Sequence, residues 1–99
     1  MSNKEVAQTI LSQIKAIDFW ALGSWAARNY TILNDQMGGV QFKINCPKLK
    51  NAFVQVVLNG SDLYDIRFFK VWGGKITVDE TVNDVYAENL VNVIDGRVG

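Results

Sequence analysis

The chain has 99 residues, of which 48% are hydrophobic and 20% charged, with ten basic side chains, ten acidic side chains and no histidine. This length supports a single hydrophobic core, and this composition excludes disorder of the whole chain. The lack of histidine excludes Ser-His-Asp and Cys-His catalysis and zinc sites with imidazole ligands. A net charge of zero excludes a global field that would attract nucleic acid or membranes. We therefore expect one domain over residues 1–99.

The expected location is the cytoplasm. No apolar run approaches the roughly 20 residues that span a bilayer. The first residues, MSNKEVAQ, lack the apolar core of a signal peptide. The single cysteine, Cys46, cannot form an internal disulfide, which suits a reducing compartment. These observations predict a cytoplasmic protein with no membrane partner.

A helix is predicted over about residues 3–16. Ser2 and Glu5 have the spacing of a capping box, in which a hydroxyl and a carboxylate satisfy the first backbone N–H groups. A helix with one apolar stripe must pack against another element. The stripe is formed at helical spacing by Val6, Ile10, Leu11, Ile14 and Ile17.

Residues 18–33 are ambiguous, because their short apolar runs fit either two strands around a turn or a strand and a helical turn. Exposed Trp and Tyr side chains are typical anchors of protein interfaces. Burial in the core explains large aromatic residues equally well, so both interpretations stay open. The candidate protein interface, which includes self-association, consists of four aromatic residues within twelve positions: Phe19, Trp20, Trp25 and Tyr30.

From Val40 onward, apolar and polar residues alternate, which is the pattern of half-buried strands. Turn dipeptides at Asn59-Gly60 and Gly73-Gly74 separate the alternating segments. The pattern predicts an antiparallel meander of about four strands.

A C-terminal helix is predicted after the meander. Thr81 and Asp84 resemble a helix cap with an acidic first turn, and Gly96 is a plausible stop. Apolar residues from Val82 to Ile94 follow at helical spacing. The order helix, sheet, helix predicts a two-layer α+β domain, in which the helices cover one apolar face of the sheet.

The segment LNGSDLYDIRFFK, residues 58–70, is the part of the chain richest in polar and aromatic groups. Strand parity places Asp65, Arg67 and Phe69 on one face, and whether that face meets water, a helix or a partner stays open. Asp62 is three residues from Asp65, so the two carboxylates cannot form an acid–base pair, and Asp62 suits the turn. Neither of the two glycine pairs, Gly38-Gly39 and Gly73-Gly74, has the spacing of a phosphate-binding motif. We predict no catalytic residue, metal or cofactor, and no enzyme.

An alternative function is binding of single-stranded nucleic acid, in which aromatic rings stack on bases and cations hold phosphates. Its candidate face consists of Lys43, Arg67, Phe69 and Lys70. The charge distribution is uneven as well. Residues 28–75 carry seven basic and three acidic side chains, and residues 76–99 carry one basic and five acidic ones. Two explanations of this asymmetry stay open: a solvated sheet face and a solvated helix face, or two different docking surfaces.

Three segments, EVAQTILSQI, LNGSDLYDIRFFKVWGG and DVYAENL, are similar to a family of small uncharacterised proteins. Phages, plasmids and integrative elements of gut and related bacteria encode that family. Its members resemble this chain most at residues 51–70, with the pattern L-N-x-x-D-L-Y-D-x-x-F-x-K, and at 84–90, and least at 18–37. The family has no established activity, so the resemblance implies a context and no catalytic residues.

The leading prediction is a small non-enzymatic binding protein of a bacterial mobile element that acts through protein–protein contacts. The resemblance implies a host factor, including a defence system, as one kind of partner. A second copy of the chain is another, since surplus aromatic residues and sheet edges both favour association.

Overall fold

The computed structural model describes residues 3–34, 37–46 and 49–98. It confirms the predicted α+β architecture, in which an N-terminal helix, an antiparallel sheet and a C-terminal helix follow one another along the chain. The elements are α1 (Asn3–Ile17), α2 (Ala21–Ser24), β1 (Arg28–Leu33), β2 (Gly39–Ile44), β3 (Ala52–Leu58), β4 (Tyr64–Trp72), β5 (Lys75–Val85), a 3-10 turn (Ala87–Asn89) and α3 (Leu90–Val98).

The described residues form one five-stranded sheet in the order β1-β2-β3-β4-β5, with every neighbouring pair antiparallel. The meander is therefore confirmed, and the predicted number of about four strands was one too low. The additional strand is β1, at the edge of the sheet, where five of six residues are exposed. Of the two alternatives for residues 18–33, the structure shows a helical turn, α2, followed by a strand, β1. The mostly exposed β1 has no regular alternation of buried and exposed residues, so the sequence pattern alone left the choice open.

The predicted start of the C-terminal helix at Thr81 is wrong, because β5 continues to Val85 and α3 begins at Leu90. In the register of β4 and β5, Val82 lies opposite Ile66 and Val85 lies opposite Tyr64, so a bulge adds one residue between them. The bulge changes the spacing of core-facing residues from two to three. A spacing of three also occurs on one face of a helix, so the sequence pattern here was interpreted as helical.

Gly96 lies inside α3, which runs from Leu90 to Val98, so the predicted stop at that glycine is also wrong. Residues Leu90, Val91, Ile94 and Val98 of this helix are buried. Their spacing gives α3 one apolar stripe, as α1 has.

The hydrophobic core lies between the helices and one face of the sheet. Ile10 and Ile14 of α1 and Leu90 and Ile94 of α3 are fully buried in it. Gly39 of β2 is also a packing requirement, since a Cβ there would lie 2.5 Å from the carbonyl oxygen of Val56. From the sheet, the fully or almost fully buried side chains are Val40, Phe42, Ile44, Ala52, Val54, Val56, Ile66 and Phe68. No helix within the described residues is long and apolar enough to cross a membrane.

A hydrogen bond ties α1 to the sheet at Tyr64, the first residue of β4. The buried Tyr64 hydroxyl donates to Gln13 Oε1 at 2.7 Å. Burial raises the pKa of this hydroxyl above its ordinary value, because the phenolate form would be poorly solvated there.

This raised pKa predicts a loss of stability in alkali. Above about pH 10 the unfolded chain releases a tyrosine proton that the folded chain still holds, so the free energy of unfolding falls as pH rises. One such group contributes at most about 1.4 kcal/mol per pH unit between its two pKa values. Urea unfolding of Tyr64→Phe between about pH 9 and pH 11 should show a shallower fall than the wild type.

The control is Tyr86→Phe, because the Tyr86 side chain is 57% exposed. The stability of that variant should fall more steeply with pH than the stability of Tyr64→Phe. An equal alkaline fall in wild type and Tyr64→Phe would contradict the assignment.

Candidate functional site

The most exposed large side chains lie in the turn between α1 and α2. Phe19 is 69% exposed and Trp20 is 75% exposed, and their rings meet edge to face with centroids 5.2 Å apart. Ile17, the last residue of α1, is 45% exposed beside them in sequence. We call Ile17, Phe19 and Trp20 the aromatic surface.

Backbone hydrogen bonds define this turn. Asp18 N–H donates to Ile14 O at 2.9 Å, and the Asp18 carboxylate accepts from Trp20 N–H at 3.0 Å. Asp18 O in turn accepts from Ala21 N–H at 3.1 Å, where α2 begins. The Phe19 and Trp20 side chains are therefore presented from a structured turn, so little backbone conformational entropy is lost on binding.

Trp25, in contrast to Phe19 and Trp20, is buried in the core. Its side chain is 1% exposed and lies parallel to Phe42, with ring centroids 6.4 Å apart. The indole Nε1–H donates to Asp95 Oδ1 at 3.2 Å, which links α2 to α3. Its carbonyl accepts from Asn45 N–H at 3.1 Å and from the thiol of the buried Cys46 at 3.4 Å. Of the two interpretations left open for Trp25, the structure shows burial in the core.

Tyr30 lies between these extremes. Its side chain is 47% exposed, its ring packs against Phe42 with centroids 5.8 Å apart, and its hydroxyl lies 3.5 Å from Ala27 O. Ile32, two residues further along β1, is 44% exposed. The edge strand thus adds a half-exposed apolar row to the side of the sheet that carries the helices.

The candidate nucleic-acid residues lie mainly on the face of the sheet without helices. Lys43, Phe53 and Phe69 are directly opposite one another on β2, β3 and β4. The two phenylalanine rings stack with centroids 5.2 Å apart, and Lys43 Nζ lies 5.9 Å from the centre of the Phe53 ring. Phe69 is only 6% exposed. The aromatic groups therefore stack on one another, and Phe69 presents little ring surface to a base.

The remaining two candidates, Arg67 and Lys70, do not complete a surface for binding nucleic acid. Arg67 is exposed on the same face, next to a hydrogen bond of 2.8 Å between Gln55 and Gln41. Lys70 is exposed but follows Phe69 directly, so its parity places it on the other face. The Asp65–Arg67–Phe69 face meets no helix of the described chain and combines one buried ring with polar groups.

Asn59 organises the turn that Asp62 was expected to stabilise. Its Oδ1 accepts from the backbone N–H groups of Ser61 at 2.8 Å and Leu63 at 3.2 Å. Its Nδ2 donates to Asp65 Oδ1 at 3.0 Å and to Asp84 Oδ1 at 2.9 Å. The polar groups of the LNGSDLYD segment thus hold the β3–β4 turn against the end of β5.

Asp84 completes this network through its backbone. It has a positive φ of 57°, and its N–H donates to Asp65 Oδ1 at 3.1 Å. The sequence predicted a turn at Asn59-Gly60, but it did not predict the bonds from the Asn59 side chain to Asp65 and Asp84. Within the described residues, no three His, Cys, Asp or Glu side chains are grouped to hold a metal ion.

No protein-family model, no curated protein and no solved structure significantly matches the chain.

Proposed function

We propose that this chain is a small non-enzymatic binding protein that acts through protein–protein contacts, with Phe19 and Trp20 as its anchors. The observation that carries the proposal is the exposure of these two rings, 69% and 75%, in a structured turn. Trp20 is the strongest candidate, because tryptophan is enriched among residues whose truncation costs an interface more than about 2 kcal/mol.

Solvent contact at these rings is unfavourable. Burial of an aromatic side chain removes 150–250 Å² from water at about 25 cal/mol per Å². Trp25, five residues from Trp20, gains this stabilisation inside the core. A partner that covers Phe19 and Trp20 would gain it on association, and Tyr30 with Ile32 on the edge strand β1 would widen the contact.

The family resemblance adds a biological setting to the proposal. A gene on a phage, plasmid or integrative element favours a partner in the bacterial cytoplasm, either a host factor such as a component of a defence system or another protein of the element. A homodimer is the simplest partner to test, since the purified chain is sufficient for the experiment.

The Trp20→Ala variant should weaken binding at least about 30-fold, which corresponds to about 2 kcal/mol, because it removes the most exposed anchor. Sedimentation equilibrium of the purified chain over a wide concentration range measures self-association. Affinity capture from cells of the bacterial host, with wild type and Trp20→Ala as paired baits, measures binding to a host protein.

Urea unfolding of the same variant is the control, since a truncation at an exposed site should change stability by no more than about 0.5 kcal/mol. Tyr86→Ala, at a side chain that is 57% exposed, is the matched variant and should bind like the wild type. Equal association of wild type and Trp20→Ala, in both assays, would contradict the proposal.

A further inference from the structure

The antiparallel topology brings basic residues from all parts of the sheet to one end. The first residues of β1, β3 and β5 and the last residues of β2 and β4 share this end, because neighbouring strands alternate in direction. We call it the basic end. Its described cations are Arg28, Lys43, Lys50, Lys70 and Lys75, of which all but the half-buried Lys43 are exposed.

The other end of the sheet carries the opposite charge. Asp62 and Asp65 lie where β4 begins, and Asp84 and Glu88 lie where β5 ends. The carboxylate of Asp95 reaches Trp25 at the basic end, but it does so from α3 on the side of the helices. The two ends do not coincide with the two charged stretches of the sequence, because Asp62 and Asp65 belong to the basic stretch 28–75 and the fold places them at the acidic end.

Two of the cations are direct neighbours. Arg28 of β1 and Lys43 of β2 are cross-strand partners. Like charges at directly opposite positions destabilise a sheet, and a bound anion would remove that cost. The pairing of Arg28 with Lys43 therefore favours binding of a negatively charged ligand at the basic end.

A short hairpin projects from the basic end. Pairing of β3 with β4 stops at Phe69, whereas β4 and β5 continue through the pairs Lys70–Thr77, Val71–Ile76 and Trp72–Lys75. Three residues per strand extend the ribbon by roughly 10 Å. Gly73 and Gly74 close it with positive φ angles of 57° and 79°, as a two-residue hairpin turn requires. We call residues 70–77 the β4–β5 arm.

An apolar pair lies in the middle of the arm, with Lys70 at its base and Lys75 beside the turn at its tip. Val71 is 48% exposed and Ile76 is 65% exposed, and they face each other across the two strands. Lys70 and Lys75 lie next to them in sequence and are exposed. The β4–β5 arm therefore adds exposed apolar side chains and lysines to the basic end of the sheet, where the other described cations lie.

We propose that the basic end binds double-stranded DNA, with the β4–β5 arm in the major groove and the surrounding cations on the phosphates. The major groove admits a two-stranded β-ribbon and is about 8.5 Å deep, close to the roughly 10 Å length of the arm. One cation lies on or just before each of the five strands, which are about 4.8 Å apart, so the cations span roughly 19 Å of a continuous phosphate backbone. This proposal is independent of the proposed protein-binding function, which uses Phe19 and Trp20.

Three other polyanions fit less well. Single-stranded nucleic acid would need free aromatic faces, but the Phe53 and Phe69 rings stack on each other. Double-stranded RNA has a major groove that is too narrow for side chains to enter. An acidic protein segment would satisfy the cations but would leave the apolar pair of the arm, Val71 and Ile76, without a groove.

The test is fluorescence polarisation with a labelled DNA duplex of mixed sequence, as a function of salt concentration. Five phosphate contacts predict a slope of about −4.5 for log K against log salt concentration. The double variant Lys70→Gln/Lys75→Gln retains three of the five cations and should give a slope of about −2.7. Ile76→Ser should weaken binding several-fold at an unchanged slope, because it removes an apolar contact and no charge.

The control is Lys4→Gln/Lys15→Gln, which removes two exposed lysines from α1 and should keep the wild-type slope. All three variants change exposed side chains, and urea unfolding checks that each is folded. No polarisation change with the duplex at low salt would overturn the proposal. Tighter binding to the single strand, or displacement of the duplex by polyglutamate at equal charge concentration, would also overturn it.

Discussion

Replacement of Trp25 by alanine should lower the free energy of unfolding by about 3–5 kcal/mol. The indole is 1% exposed and lies parallel to the fully buried Phe42 ring. It also donates a hydrogen bond to Asp95, so its loss removes a contact between α2 and α3. A domain of this size has a total stability of about 5–15 kcal/mol, so the loss is a large share of the whole.

The matched variant is Trp20→Ala, which removes the same side chain five positions earlier, where it is 75% exposed. Urea unfolding of the two variants should separate them by at least about 2.5 kcal/mol, since exposed truncations change stability by no more than about 0.5 kcal/mol. Trp25→Phe should lie between them, because it retains most of the packing and loses the bond to Asp95. Similar stabilities for Trp20→Ala and Trp25→Ala would show that the assignment of core and surface is incorrect.

The second large effect is expected at Asn59. Its replacement by alanine removes the acceptor for the Ser61 and Leu63 N–H groups and the donor shared by Asp65 and Asp84. Those two carboxylates lie within 3.0 Å of one amide nitrogen, so they repel each other once it is gone. We expect a loss of about 2 kcal/mol, in the range for lost polar partners.

The control for Asn59→Ala is Asn92→Ala, at an exposed position of α3, which should change stability by no more than about 0.5 kcal/mol. Hydrogen exchange adds a local measurement. Protection should fall first in the β3–β4 turn and at the end of β5, which the Asn59 side chain joins. Unchanged stability of Asn59→Ala would mean that the LNGSDLYD segment is not held by this residue.

The elements with one buried face were predictable from the sequence. Helix α1 was expected at about residues 3–16 and spans Asn3–Ile17, because its apolar residues form a single stripe. Strands β2, β3 and β4 were expected from the alternation of apolar and polar residues, and their apolar residues Phe42, Val54 and Ile66 are fully buried. In these elements local pattern and tertiary burial agree.

The elements that the pattern left open or assigned wrongly depart from regular periodicity for identifiable reasons. The edge strand β1 is exposed on both faces and contains a bulge near Asn29, which has a positive φ of 56°. The end of β5 contains the bulge before Val85 that imitated a helical spacing. A bulge changes which residues face the core without leaving a clear mark in the sequence.

The candidate sites show the same limit. Trp20 and Trp25 occur in similar sequence surroundings, and only the four-residue helix α2 between them separates surface from core. The basic end depends on the directions of five strands, so residues as distant as Arg28 and Lys75 come to the same end of the sheet only through the fold. The residue types in the sequence indicated the candidate site residues, and the topology of the sheet determined which of them lie together.

The most direct test of the proposed function is site-specific photo-crosslinking from position 20. A photoreactive phenylalanine analogue replaces Trp20 in one protein and the exposed Glu88 in a control protein, and both are irradiated as purified chains and in cells of the bacterial host. Our account predicts a discrete crosslinked product from position 20, either a dimer or an adduct with one protein, that Phe19→Ala weakens and position 88 does not give. No product from position 20, or the same products from both positions, would contradict it.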